Sequence, residues 1–164
     1  MAAGATYTPI ATTTLGSAAA SVTFSSIAGT YTDLVIVING AYASSADGSP
    51  ALRFNSDTGG NYSETLIDGN GSSASSARDS NATSAILGSM SATISTSIIN
   101  VMNYANTTTY KTSISRANNT ANRVRAYVAL WRNTAAITSI QIITNETPNF
   151  ATGSTFTLYG ITAA

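Results

Sequence analysis

Thr32-Asp33-Leu34-Val35-Ile36-Val37-Ile38-Asn39 is the stretch of this sequence most typical of a buried β-strand. Its five central residues are all apolar and mostly β-branched, a composition that favours a pleated strand over a helix. Because successive strand residues point to opposite faces, an unbroken apolar run predicts that both faces of this strand are covered. We therefore expect it to be the central strand of a layered structure, a β-sandwich.

In Ser21–Ile27 and Tyr110–Ser115 apolar and polar residues alternate, which is typical of half-buried strands. Val124–Trp131 is a second strongly apolar run, with apolar residues on both faces. Ala51–Phe54, Tyr62–Ile67 and Thr155–Ile161 are further predicted strands. No segment has a sustained helical period, and roughly eight to ten strands are predicted in all. The pattern predicts an all-β fold in which residues 21–164 form a single jelly-roll-like antiparallel β-sandwich.

Two regions lack this pattern. Residues 1–20 are small and polar and are expected to form a short N-terminal arm. Asp68–Ser84 consists mainly of Gly, Ser, Asn and Ala with almost nothing apolar, so it is predicted to be the longest surface loop. Long loops in compact domains often carry function. The candidate ligand or partner contacts in this loop are Asp68, Asn70, Arg78 and Asp79.

Charged residues make up 9% of the chain, and seven basic side chains balance seven acidic ones. This balance argues against a nucleic-acid binder, which carries a basic stripe, and against electrostatic attachment to membranes. The chain lacks His and Cys, which excludes disulfides, thiolate metal sites and Ser-His-Asp or Cys-His catalysis. Without a signal peptide or a membrane-spanning run, the chain is expected to fold in a cytoplasm without membrane insertion.

Acidic residues in glycine-rich segments raise two chemical possibilities. Asp57-Thr58-Gly59 matches the triplet of aspartic proteases, but the preceding Asn55-Ser56 is polar and favours an ordinary turn. Asp47, Asp57 and Asp68 could supply oxygens to a calcium ion, although their spacing differs from that of an EF-hand. We predict solvated turns here, and no catalytic residue, metal site or cofactor.

Tyrosine and arginine residues leave alternatives open. Tyr42, Tyr62, Tyr104 and Tyr110 stand near Asn and Asp and could form a glycan-binding face, in which Tyr42 and Tyr62 are candidate contacts. Tyrosines of β proteins more often fill a core or an interface. Arg123 and Arg125 point the same way from a strand. They could contact acidic groups on a neighbour or protect an exposed sheet edge.

Seven segments, in this order, resemble a group of tailed-bacteriophage virion proteins described as structural or tail-fibre proteins. The likeness runs from about residue 21 to the C-terminus. The segments are Ser21–Ile27, Tyr31–Leu34, Arg53–Ser63, Asn103–Thr107, Tyr110–Thr112, Leu130–Ile140 and Asn149–Ile161.

The resemblance implies a non-enzymatic particle component with a jelly-roll-like β fold and no catalytic residues. It also implies that Arg53 and Asp57 pair at a tight turn, and that Trp131, Phe156 and Tyr159 lie in the core. Tail fibres usually carry a long stalk, whereas this chain has only a short arm.

We therefore expect a capsid decoration or cement subunit on the surface of the phage particle, assembled in the host cytoplasm. It is expected to form a homotrimer that docks through its arm on the major capsid protein or on tail proteins. The alternative is a tail fibre or tail-tip appendage that binds host surface polysaccharide, a host glycan.

Overall fold

The structure, a computed structural model, describes residues 6–44, 47–119, 122–145 and 148–162. Parts of the predicted arm (residues 1–5), of the predicted loop 44–50 and of the predicted loop 118–120 lie outside these ranges. The described residues form twelve strands: β1 (Tyr7–Thr14), β2 (Ser21–Phe24), β3 (Asp33–Gly40), β4 (Pro50–Phe54), β5 (Tyr62–Gly69), β6 (Ala74–Ala82), β7 (Ala85–Ile86), β8 (Ser95–Met102), β9 (Lys111–Asn118), β10 (Val124–Trp131), β11 (Ile140–Thr144) and β12 (Thr155–Ile161).

The strands form two antiparallel sheets that pack against each other. The large sheet has eight strands in the order β1-β12-β3-β8-β9-β10-β5-β6, and the small sheet has four in the order β2-β11-β4-β7. We call the face of the large sheet that packs on the small sheet its inner face, and the opposite one its outer face. The prediction of an all-β, jelly-roll-like antiparallel sandwich is confirmed.

Strand β3 lies inside the large sheet, paired with β12 on one side and with β8 on the other. Leu34, Ile36 and Ile38 point to the inner face and are fully buried. On the outer face Val35 is buried, but Val37 is only half-buried. The central position is therefore as predicted. The prediction of a covering layer on both faces is wrong for the described residues, because they contain only one sheet facing β3.

The core between the sheets is built from aromatic and aliphatic side chains. The Phe54 ring lies 5.5 Å from that of Trp131, and the Phe150 ring lies 5.1 Å from that of Phe156, measured between centroids. Trp131 and Phe156 are thus core residues, as the resemblance implied. Tyr159 is not, because it points to the outer face, where its ring meets that of Tyr7 edge-on.

The segment after β7 closes the core over β8 and β9. A Cβ atom on Gly88 would lie 2.1 Å from the Cβ atom of Ala117 in β9, and the φ angle of Gly88 is +149°. Only glycine tolerates both the contact and this backbone conformation. The close approach brings Leu87 and Met90, which are both buried, onto the inner face of the large sheet.

Two strands arise where the sequence predicts an arm and a loop. Residues 7–14 of the predicted arm form β1, which pairs with β12 at one edge of the large sheet. Most of the predicted loop Asp68–Ser84 is the end of β5, a tight turn and β6, which pairs with β5 at the other edge. Strand β6 is exposed along nearly its whole length, so no apolar periodicity marked it.

Candidate binding face

The outer face of the large sheet exposes aliphatic side chains on β5 and β10. In β10 the buried residues Tyr127, Ala129 and Trp131 alternate with outward-facing ones. Of the outward-facing residues, Val124 is 63% exposed and Val128 is 49% exposed. Ile67 of β5, which pairs with Ala126 of β10, is 64% exposed. Contiguous exposed aliphatic residues of this kind typically mark an interaction surface.

Two grooves lie end to end along these strands. The first has a volume of about 500 Å³ and is mostly apolar, with Ile67, Ile98, Val124 and Ala126 among its lining residues. The second has a volume of about 560 Å³ and is more polar, with hydroxyl groups and two aliphatic side chains. Its outward-facing lining residues are Ser63, Thr65, Arg78, Ser80, Thr112, Val128 and Leu130. We refer to the two grooves together as the outer trough.

Two arginines stand on opposite sides of the outer trough. Arg78 belongs to β6 and Arg116 to β9, and both are exposed. Three strand spacings separate them, and the register offsets them by two residues, which places their Cα atoms about 16 Å apart. The acidic residues of the four strands β9, β10, β5 and β6 alternate to the inner face, although Asp68, Glu64 and Asp79 also border the grooves; the charged side chains in the outward rows are the two arginines.

Asp68 is held by two arginines of the same chain. Its carboxylate oxygens lie 3.2 Å from Nε of Arg123 and 3.2 Å from Nε of Arg125. Asp68 is buried, and β10 lies between β9 and β5 rather than at an edge. Arg123 and Arg125 therefore point the same way, as predicted, but toward an internal partner. Asp68 could reach a ligand only by giving up these ion pairs.

The other candidate residues from the predicted loop have different surroundings. Oδ1 of Asn70 accepts hydrogen bonds from the N–H groups of Ser72 and Ser73, at 3.0 and 2.8 Å, and so fixes the turn between β5 and β6. Asp79 is exposed and accepts a hydrogen bond from the N–H of Ser80. Arg78 is the one of the four predicted candidates that faces the outer trough.

The two candidate tyrosines lie in the core. Tyr42 is buried and its ring stacks on Phe150 at 5.8 Å. Tyr62 is fully buried, and its hydroxyl accepts a hydrogen bond from the N–H of Phe54. Burial raises the pKa of Tyr62 to about 12. Neither ring is presented to solvent, so the interpretation of tyrosine as core filler applies to both, and to Tyr104 as well.

Asp57 fixes a turn against the single tryptophan. Its carboxylate accepts hydrogen bonds from Nε1 of Trp131 at 2.7 Å, from Nδ2 of Asn61 at 2.9 Å and from the N–H of Gly59 at 2.8 Å. Burial opposes its ionisation, but these three hydrogen bonds outweigh burial and lower the pKa of Asp57. The implied pairing with Arg53 is wrong, because Nε of Arg53 donates to the carbonyl of Thr83.

Two further ionisable side chains are bound to backbone groups. Oε2 of Glu64 accepts a hydrogen bond of 2.7 Å from the N–H of Ile86, which ties the edge of the small sheet to β5; burial raises the pKa of Glu64. Lys111 is fully buried, and burial lowers its pKa. Its ammonium group donates hydrogen bonds to the carbonyl groups of Thr109 and Thr134. These side chains connect elements of the fold.

In the ranges that the structure describes, no group of three or more acidic side chains is arranged to hold a metal ion. Within the same ranges, no helix is long and apolar enough to cross a membrane.

Sequence reasoning missed Arg116 and the exposed aliphatic residues of the outer trough. The signal was present in β10, where Val124, Ala126, Val128 and Leu130 form one row while Tyr127, Ala129 and Trp131 form the other. A strand that is apolar in both rows, at a place where only one row is covered, predicts an exposed apolar face.

No protein-family model and no curated protein sequence matches this chain. Among solved structures, an alginate lyase mutant in complex with an alginate tetrasaccharide is similar with 10% sequence identity and a TM-score of 0.33. The alignment covers 93% of this chain and 80% of the other. A likeness of this size carries no information about activity or substrate.

Proposed function

We propose that this chain is a non-enzymatic structural protein on the surface of a tailed-bacteriophage particle, where it decorates the capsid. The observation that carries the proposal is the outer trough, an exposed surface with one apolar and one more polar groove, flanked by Arg78 and Arg116. The assignment to a phage particle is based on the seven segments that resemble phage virion proteins. Docking would remove Ile67, Val124 and Val128 from water.

The charge of the docking surface indicates which kind of partner it binds. Four strands of the outer face present two arginines and no carboxylate, so a partner with acidic groups fits better than one with basic groups. Arginine is enriched in interfaces because its planar guanidinium binds carboxylates with two parallel hydrogen bonds. The proposed partner is an acidic and apolar surface of the major capsid protein or of a tail protein.

The internal use of ionisable side chains supports a non-enzymatic role. Asp57, Asp68, Glu64 and Lys111 each bind a partner within the fold, and each of these bonds links neighbouring strands, sheets or turns. A catalytic acid or base must instead be within hydrogen-bond reach of a substrate.

The test uses particles of the phage that encodes this chain. The chain should be present in purified particles by mass spectrometry, and a map at side-chain resolution should show the outer trough against the shell. Added back to particles lacking it, Arg78→Ala and Arg116→Ala should bind more weakly than the unchanged protein. Arg53→Ala, which removes an arginine from the small sheet, is the matched control. Absence of the chain from purified particles would contradict the proposal.

The second candidate is a tail appendage that binds host surface polysaccharide. It is favoured by the polar groove, where hydroxyl groups of Ser63, Thr65 and Ser80 lie beside Arg78. Such a site would select acidic glycans, because the charge in the groove comes from arginine. Retention of the full chain on polygalacturonate but not on neutral dextran, lost in Arg78→Ala, would support this function over capsid decoration.

A further inference from the structure

The two edges of the large sheet are protected to different degrees. Edge strand β1 contains Pro9, and its register with β12 shifts between Pro9 and Ala11; both features hinder the addition of another strand. Edge strand β6 contains no proline, and Ala74–Ser80 pairs with β5 without irregularity. Its side chains are exposed throughout this run. An exposed, regular edge of this length is a template for a further strand.

The turn before β6 shows which backbone groups lie at this edge. The N–H of Asn70 donates to the carbonyl of Ser73, which makes these two residues a hydrogen-bonded pair. Alternation along the antiparallel ladder then directs the N–H and C=O groups of Ser76 and Arg78 away from β5. Oδ1 of Asp79 accepts a hydrogen bond of 2.7 Å from the N–H of Ser80, a group that the same alternation directs to the free edge.

We propose that two copies of this chain associate by antiparallel pairing of β6 with β6 about a two-fold axis at Ala77. Ala77 is the midpoint of the regular run Ala74–Ser80, so this register centres the contact on that run, at whose end the Ser80 N–H stays bound to Asp79. Ser76 of each copy then forms a hydrogen-bonded pair with Arg78 of the second copy. The two large sheets become one continuous sheet, with both outer troughs on the same side. This inference is independent of the proposed particle.

Charge disfavours one of the two neighbouring registers. With Ala77 on the axis, Arg78 faces Ser76 of the second copy and Asp79 faces Ser75. A shift that places Arg78 on the axis would set two arginines directly opposite each other, which destabilises a strand pair. Because a two-fold interface uses the same surface on both copies, it closes as a dimer and leaves β1 outside the contact.

The first experiment uses the whole 164-residue chain and introduces a charge opposite Arg78 of the second copy. Ser76→Glu places a carboxylate opposite Arg78 of the second copy, twice per dimer, and should tighten dimerisation about 2- to 30-fold in sedimentation equilibrium. Ser76→Arg should weaken it by a similar factor. Ser80→Glu and Ser80→Arg are matched controls, because residue 80 stands equally far from Arg78 in its own strand but faces Ala74 of the second copy.

The second experiment uses the absence of cysteine from the chain. In the proposed register the two Ala77 Cα atoms are about 4.5 Å apart, so Ala77→Cys should form a disulfide-linked dimer under mild oxidation. Ser75→Cys and Asp79→Cys should each remain uncrosslinked, because the Cα atoms of the two copies of each residue are about 14 Å apart. A mixture of these two variants should crosslink, since residue 75 faces residue 79.

Three results would overturn the proposal. They are a monomer or a trimer at every concentration tested, equal effects of substitution at residues 76 and 80, and crosslinking of Ser75→Cys with itself. Circular dichroism of each variant establishes that it is folded. If one cysteine variant failed to fold, the charge series at residues 76 and 80 would still decide the register.

Discussion

At the scale of single residues, Asp57 shows how a carboxylate in a protease-like triplet can serve the fold. Its three hydrogen bonds join a surface turn to Trp131, whose ring is in the core. Asp57→Ala should destabilise the protein by about 1–3 kcal/mol, because it leaves the indole N–H without an acceptor. Urea unfolding can measure this, with Trp131 as the only tryptophan signal.

The acid side of the stability curve gives an independent test of the same residue. Because the pKa of Asp57 is lowered below 3.8 in the folded protein, its contribution is fully present above that pH and is lost as the pH falls through the folded value. Asp57→Asn should abolish this part of the acid dependence. Asp47→Asn, at an exposed position, is the control. An unchanged acid limb in Asp57→Asn would contradict the assigned role.

Residue identity predicted some of these roles. Tyrosine is more often a core residue than a ligand in β proteins, and Tyr42, Tyr62 and Tyr104 follow this rule. The pairing of Asp68 with Arg123 and Arg125 could not be predicted from the sequence, because it depends on the register of β5 with β10. Register is set by turns and by long-range packing, neither of which a spacing in sequence records.

At the scale of elements, predictability follows burial. Strands β3 and β10 were found because they are nearly continuous apolar runs, and β12 because its buried apolar residues alternate with half-buried ones. Strand β6 was missed because an edge strand with solvent on both faces needs no apolar row, and β1 because its half-buried row is mostly threonine. The backbone hydrogen bonds that define β6 come from its neighbour β5, whose own sequence gives no indication that a second strand follows.

The turn that forms the β5–β6 hairpin can be tested through Asn70. Asn70→Ala removes the acceptor for the N–H groups of Ser72 and Ser73, so the hairpin should open more often without unfolding the core. Amide hydrogen exchange should become faster at Ala77 and Asp79, whose N–H groups point to β5. The free energy of global unfolding should fall by about 1 kcal/mol or less.

Asn106 provides the matched control for this experiment. Its Oδ1 accepts hydrogen bonds from the N–H groups of Thr108 and Thr109, the same arrangement in a turn before β9. Asn106→Ala should therefore leave exchange in β6 unchanged. If both variants accelerated exchange in β6 equally, the hairpin would not be an independently opening unit.

At the scale of the whole molecule, the sandwich follows from composition and alternation, but the sizes of its two sheets do not. Eight strands in one sheet and four in the other leave the outer face of β9, β10 and β5 uncovered. The outer trough is a consequence of this imbalance. Patterns within single strands cannot reveal it, because each strand carries the same alternation in a sheet of either size.

Buried tyrosine and lysine side chains predict how the stability of the whole molecule changes at alkaline pH. The pKa of Tyr62 is raised by burial to about 12, and burial also raises the pKa values of Tyr104 and Tyr127. A raised tyrosine pKa stabilises the folded state fully below pH 10, the value of the unfolded group, and this contribution is lost as the pH rises toward 12. Lys111 acts oppositely, because its lowered pKa makes stability rise with pH up to 10.5.

Three tyrosines against one lysine predict a net loss of thermal stability between pH 10 and pH 12. Tyr62→Phe should lower stability by about 1 kcal/mol at pH 8, because the N–H of Phe54 loses its acceptor. The same variant should lose less stability than the unchanged protein between pH 10 and pH 12. Asn106→Ala keeps the tyrosine and should retain the original slope in melts followed by circular dichroism. Parallel slopes in all three proteins would show that the Tyr62 hydroxyl does not control alkaline unfolding.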